Sequence, residues 1–342
     1  MRVKKYFGVS EKNLRCPEFL QIGDVILSLS IKDNKTNIFS SPIVLLITAL
    51  ICCALWGSAT PAIKTGYRLL AVEGVPSIML FAGLRFTLAG IFTVIIFSIV
   101  HRKFLIPKRE NVGRILFVSV FHTIVQYVFF YLGLAWTSGV KGTVASGSGA
   151  FFAVLIAALI FRQEKLTFKK IAACIIGFLG IVVINLDGLE FKAELWDILG
   201  VVSVLLSTIS SSFASVLMKK YSSYENPVVI TGYQFIVGGL FMIAVGLIFG
   251  GRVYFGSLYG VLDLIYLALL SAIAYSLWGL LLKANPISRV TVFNFTTPIF
   301  GVILSEIFLD ESSVNPINII ITLVLVSIGI FMLNYKPRSE IK

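Results

Sequence analysis

The sequence predicts an all-α, polytopic membrane protein of about ten transmembrane helices, built as two inverted five-helix repeats. Three observations carry that expectation. Of the 342 residues 57% are hydrophobic and only 13% charged, with a mean hydropathy of +0.94, a balance far too apolar for a soluble domain of this length. The apolar residues fall into runs of about 20, long enough to cross a bilayer as helices. And the chain resembles itself: Ile156, Ile160, Phe161 and Glu164 recur in the same spacing as Ile303, Ile307, Phe308 and Glu311, and the same offset pairs Val140 with Ile287, Phe151 with Pro298 and Tyr131 with Trp278. The match spans two helices and a loop, so one half is a diverged copy of the other.

In chain order, residues 1–42 read as a polar cytoplasmic leader and 43–186 as the first repeat, with spans at 43–63, 76–100, 112–136, 140–161 and 169–186. A linker follows at 187–195. The second repeat occupies 196–335, with spans at 196–218, 228–250, 258–282, 288–309 and 316–335, and 336–342 reads as a cytoplasmic tail. No early apolar stretch with a cleavage site precedes the first span, which is expected to serve as its own uncleaved signal. Lys and Arg gather in the leader and in alternate loops, among them Arg102, Lys103, Lys108, Arg109, Arg162, Lys165, Lys169, Lys170, Lys219, Lys220, Lys283 and Arg289. By the positive-inside rule both termini are cytoplasmic. Five spans per half is an odd number, so the second copy enters from the opposite side. Loop charge agrees: Lys165, Lys169 and Lys170 follow the first Phe-x-x-Glu, whereas Asp310 and Glu311 with no cation accompany the second. Two such copies build a pseudo-symmetric body with a site between them, an architecture of many secondary transporters.

Several function classes are excluded or disfavoured. A net charge of +12 does not argue for nucleic acid, because the basic residues sit in short loops beside spans rather than on a folded soluble face. There is no Gly-x-Ser-x-Gly, no His-Glu-x-x-His and no P-loop, so neither catalysis nor ATP as a driving force is expected. Cys52 and Cys53 lie in the first span, Cys174 in the fifth and Cys16 in the leader, which places no pair for an extracellular disulfide and no metal motif.

Polar residues inside spans are the informative ones, since burying them in hydrocarbon is costly unless they face a cavity or a partner. His122 and Gln126 lie one turn apart in the third span, either lining a cavity or bonding neighbouring helices. Ser271, Tyr275 and Trp278 share a face of the eighth, where Trp278 can equally be a headgroup anchor. Thr291, Asn294, Thr297, Pro298, Gly301 and Ser305 recur at helical spacing in the ninth, and a Pro inside a span frees a backbone carbonyl. The fourth-span counterpart, Ser146 to Gly149, is small and suits either a ligand or close helix packing. Arg85, roughly 13 Å from the outer end of its span, and Glu306 are charges inside spans that can pair as an outer gate or act separately. Glu164 and Glu311, at span ends, are read as capping and loop-fixing.

Trp56-Gly57-Ser58 with Lys64, Arg85-Phe86 followed by Ala89-Gly90, Ala135 to Gly139, and Phe-x-x-Glu followed by Gly177 and Gly180 together resemble the EamA-type drug/metabolite transporter superfamily over about residues 43–335. Two positions depart from its pattern: Phe151 stands where the family often has Pro, and Ser211 where it has Trp. The resemblance implies export of amino acids or related metabolites. The expected function is a secondary transporter moving a small polar metabolite by alternating access, in the plasma membrane or bacterial inner membrane. The candidate substrate-binding residues are Trp56, His122, Gln126, Asn294 and Thr297, and the candidate gate is Arg85 with Glu306. The partners expected are a small-molecule substrate and the bilayer, with no nucleic acid, no metal and no cofactor, and a homodimer is left open. The rival from another class is a non-transporting sensor or scaffold that uses the leader; a membrane-embedded enzyme ranks third.

Overall fold

A computed structural model describes residues 38–137, 139–186, 194–309 and 315–334. Residues 1–37 of the leader, most of the linker, the Glu311 loop and the tail lie outside the described residues. Described residues form ten helices across the apolar runs and no strand. In chain order they are α1 (Pro42–Leu69), α2 (Gly74–Val100), α3 (112–136), α4 (139–160), α5 (Phe168–Ile184), α6 (Leu195–Tyr221), α7 (Pro227–Ile248), α8 (Leu258–Ala284), α9 (287–309) and α10 (Pro316–Asn334). Nine of these have at least 18 residues and little charge. With 17 residues, α5 reaches about 25 Å at 1.5 Å per residue, near the minimum for a hydrocarbon core.

The packing pattern repeats under a simple exchange. Replacing each helix by the one five places away maps α1–α8 onto α6–α3, α1–α9 onto α6–α4 and α2–α8 onto α7–α3, and leaves α2–α7 and α5–α10 unchanged; every one of these pairs is in contact. In lipid, such pairs are held by close backbone approach rather than by hydrophobic burial. The α2–α7 seam achieves it with glycine: a Cβ on Gly90 would fall 2.5 Å from the Gly232 carbonyl oxygen, and one on Gly239 would fall 2.5 Å from the Thr87 nitrogen.

Three helices are irregular, and two of the breaks are symmetry-related. In α4 the regular helix is interrupted at Ser148, between Gly139–Gly147 and Gly149–Leu155. In α9 a 3-10 turn, Val292–Thr296, separates Ile287–Thr291 from Thr297–Leu309. The offset that pairs Phe151 with Pro298 superposes Ser148 on Phe295, so both copies break at one place. Sequence reading located the ninth-span break at Pro298. The break instead precedes it, because Pro is favoured in the first turn of a helix, where its missing N–H would have no partner. The turn also changes the helical phase, so the expected stripe is not continuous: Thr291 is 2% exposed and donates to Ile287 O within its own helix. Two π-helical segments complete the irregularities, Ile156–Ile160 at the end of α4 and Val120–Val125 in α3, which contains His122.

Candidate functional site

Two adjacent thiols fix α1 between the partners that form the site. Cys52 Sγ donates to the Ala274 carbonyl on α8 at 3.4 Å, and Cys53 Sγ to the Phe293 carbonyl on α9 at 3.2 Å. One turn on, Gly57 lies so close to α9 that a Cβ there would fall 2.5 Å from Phe300 Cβ. Trp56, beside it at the middle of α1, therefore has little freedom. Its ring meets Tyr275 and Trp278 edge-on at centroid distances of 5.1 and 4.9 Å. Trp278 is 5% exposed, which places it in the interior and removes the headgroup-anchor alternative.

Tyr275 joins the other walls. His122 stands edge-on to it at 5.2 Å, Phe235 of α7 at 5.0 Å, and the Tyr127 and Tyr275 hydroxyls are 3.0 Å apart. Because the π-helical segment adds a residue to the turn, it re-aims the α3 side chains that follow, a distortion frequent at functional sites. The result is an aromatic enclosure drawn from both repeats, in which Phe86 of α2 stacks on Phe235 at 5.1 Å.

The polar atoms have one property in common. Trp56 Nε1, His122 Nδ1, Gln126 Oε1, Asn294 Oδ1 and Thr297 Oγ1 are buried and have no hydrogen-bond partner among the described residues. Asn294 lies within the 3-10 turn of α9 and Thr297 opens the helix after it. Each unsatisfied buried group costs about 1–3 kcal/mol, and such groups are few in native proteins. Here they include a donor at Trp56, acceptors at Gln126 and Asn294, a hydroxyl that is either, and an imidazole that can be either. That set suits a small molecule carrying both donors and acceptors. Thr87, Gln163, Thr231, Asp263, Ser276 and the Gln234 amide nitrogen also have an unpartnered atom. By contrast a surface groove of about 460 Å³ beside α2 and α7, lined by Leu80, Leu84, Ile243, Leu247 and residues 251–255, holds none of the five.

Arg85 lies near the middle of α2, about 16 Å from its N-terminal end, farther from that end than the sequence estimate because the helix begins at Gly74. It is 5% exposed. Nε and Nη2 donate to Ser271 Oγ at 3.1 and 3.0 Å, and Ser271 donates onward to Leu267 O at 2.8 Å. Glu306 is carried by α9, and its side chain lies outside the described residues.

Sequence reasoning missed Asp263 on α8. Its carboxylate presses against α1, where a Cβ on Gly66 would fall 2.5 Å from Oδ2. A lone acid in the run Leu262 to Leu264 was the available signal. Also missed was Gln234, fully buried, whose Oε1 accepts from Thr123 Oγ1 at 2.7 Å.

Comparison with known proteins bears on both halves of the chain. The model of the EamA-like transporter family matches twice, at residues 43–186 and 198–335. An uncharacterized transporter of Archaeoglobus fulgidus is 29% identical, with 78% of this chain and 90% of that protein covered. An uncharacterized transporter of Synechocystis is 27% identical over 90% of this chain and 94% of its own length, and a chloroplastic WAT1-related protein of Arabidopsis thaliana is 26% identical over 83% and 68%. A solved crystal structure shares the fold with a TM-score of 0.70 at 16% identity, covering 85% of this chain and 96% of that one. With ten apolar helices and both halves matched in succession, this chain is a multi-pass membrane protein that belongs to the EamA-like transporter family.

Proposed function

We propose that the protein is a secondary transporter of a small polar metabolite, an amino acid or related compound, and that it works as an exporter by alternating access in the plasma membrane with both termini cytoplasmic. The observation that carries this reading is the set of unpartnered polar atoms on α1, α3 and α9, two of which, on Trp56 and His122, belong to rings that flank Tyr275 in the aromatic enclosure. A purely structural polar atom would be expected to have found a partner, as Ser119 Oγ and Thr123 Oγ1 have on Gln234. Broken helices at corresponding positions of the two repeats support the same location, since such interruptions mark substrate sites in inverted-repeat transporters. The polar contacts at the lysine- and arginine-rich ends, described for Glu164 below, are of the kind that must open and close if the two repeats rock about the site.

The test is metabolite profiling of cells with and without the gene, followed by uptake of each changed compound into proteoliposomes. Accumulation inside cells lacking the gene, and saturable transport of the same compound, are expected. Folded protein that moves none of the changed compounds would sink the reading and favour the scaffold alternative.

A further inference from the structure

We propose that Arg85 is the docking point for a carboxylate of the transported molecule, so that the substrates are small monoanionic carboxylates or zwitterions with a free carboxylate. The inference rests on the transporter reading and narrows its substrate class.

The argument starts from an unbalanced charge. An arginine at the middle of a span costs about 2.5–3.5 kcal/mol on insertion scales, more on others, and is normally paired or hydrated. Arg85 has five N–H donors in a fixed fork, yet among the described residues its only hydrogen-bond acceptor is Ser271 Oγ. No described acid forms an ion pair with it. Asp263 is within electrostatic range, but it stands eight residues from Ser271 along α8, about 12 Å of helix rise, and lies against Gly66. Its ring contact is aromatic: Phe86 has its ring centre 5.2 Å from the guanidinium carbon.

Ser271 holds one edge of the guanidinium by both Nε and Nη2. That leaves the remaining donors for a bidentate acceptor, the geometry that suits a carboxylate. The place is also right, because Phe86, beside the guanidinium, meets Tyr127 at 4.4 Å, and the Tyr127 hydroxyl is 3.0 Å from that of Tyr275 in the enclosure around Trp56 and His122. A molecule whose carboxylate sits on Arg85 can therefore place its body against the aromatic walls. Charge selects the class: one guanidinium neutralises a monoanion, whereas a doubly charged phosphate would leave a negative charge uncompensated in a site with no second described cation.

The test is thermal unfolding of the purified full-length protein in detergent, with the twenty amino acids, their 2-oxo acids and benzoate as probes. Matching amides and inorganic phosphate are the comparisons. One or more carboxylates should raise Tm by about 2–4 °C when well above Kd, with no shift from the amide of the same compound. Arg85→Gln should abolish the shift, and Arg85→Lys, which keeps the charge but loses the fork, should weaken binding at least tenfold. If Arg85→Gln does not fold, Ser271→Ala gives a second reading: it keeps the cation, releases its anchor and should weaken carboxylate binding. Equal shifts from acid and amide, full binding by Arg85→Gln or by both Arg85→Lys and Ser271→Ala, a larger shift from phosphate, or no shift from any carboxylate would each overturn the proposal. Proteoliposome transport confined to uncharged or cationic metabolites would keep the transporter reading and remove this one. Carboxylate binding at Arg85 in a protein that transports nothing would do the reverse.

Discussion

Glu164, in the connection between α4 and α5 of the first repeat, caps the start of the broken helix in the second: its carboxylate accepts from Ser288 Oγ at 2.6 Å and from the Ser288 backbone nitrogen at 3.2 Å. The same carboxylate accepts from Lys170 Nζ at 2.6 Å. A single acid thus joins α4, α5 and α9. Burial alone would push the Glu164 carboxyl up, but the bonds from Lys170 and Ser288 outweigh it and hold the group below its ordinary 4.5. A carboxyl depressed in the folded protein contributes stability above its unfolded pKa, which is lost as pH falls through the folded value. Thermal stability of the wild type should therefore fall as pH drops beneath about 4.5, and fall less in Glu164→Gln. At neutral pH the substitution should destabilise by about 2 kcal/mol, the scale of lost hydrogen bonds to a charged group. Identical acid profiles for the two proteins would show that Glu164 contributes nothing at this joint.

Asn294→Ala and Gln126→Ala should separate transport from stability. Neither side-chain oxygen has a partner among the described residues, so truncation removes a buried unsatisfied acceptor and should leave Tm unchanged or slightly raised. Transport should fall at least tenfold, which corresponds to about 1.4 kcal/mol of lost binding. Gln234→Ala is the contrast. It leaves Thr123 without its acceptor and should lower Tm. A parallel loss of Tm in all three variants would make Asn294 and Gln126 structural.

How much of this was legible in the sequence follows from what each feature depends on. The spans were readable because hydropathy and bilayer thickness fix them almost alone, and α3 runs over the 112–136 of the sequence reading. The capping role of Glu164 was readable from its place at a span end, but its partner Ser288 was not, since 124 residues separate them. The substrate candidates could be chosen as polar residues in apolar runs. That Trp56 and His122 meet at Tyr275 could not be inferred, because the contact joins residues on three helices far apart in sequence. Asp263 escaped for the opposite reason: the signal was present, but the residue lies close enough to a span end to pass as a loop charge.

Gly90→Val should reduce the amount of folded protein. The added side chain would meet the Gly232 carbonyl at 2.5 Å and the Ile236 nitrogen at 2.8 Å. Both are backbone atoms of α7, so relief requires the α2–α7 seam to part rather than a side chain to rotate. Overpacking of this kind costs about 1–3 kcal/mol or more. Gly113→Ala is the matched control, with nothing within 4 Å of its Cβ, and should be neutral. The two variants compared by fluorescence-detected size-exclusion profile and Tm decide the matter; equal profiles would mean the seam yields easily.

Charge exchange between Arg85 and Glu306 distinguishes a docking cation from half of a gate. In a gate the two charges attract each other, so Arg85→Glu and Glu306→Arg should each impair transport and their combination should restore part of it. In a docking site the charge of Arg85 is needed where it stands, anchored by Ser271 at mid-depth. Moving it to α9 takes the cation away from the Ser271 anchor that presents it to the carboxylate. The expected outcome is loss of at least tenfold in transport for Arg85→Glu, with no recovery on adding Glu306→Arg, while Glu306→Gln alone retains carboxylate binding. Recovery in the double variant would assign Arg85 to an outer gate and leave the carboxylate without its partner. The measurement is initial-rate transport of a metabolite identified by profiling, corrected for the amount of folded protein in each vesicle preparation.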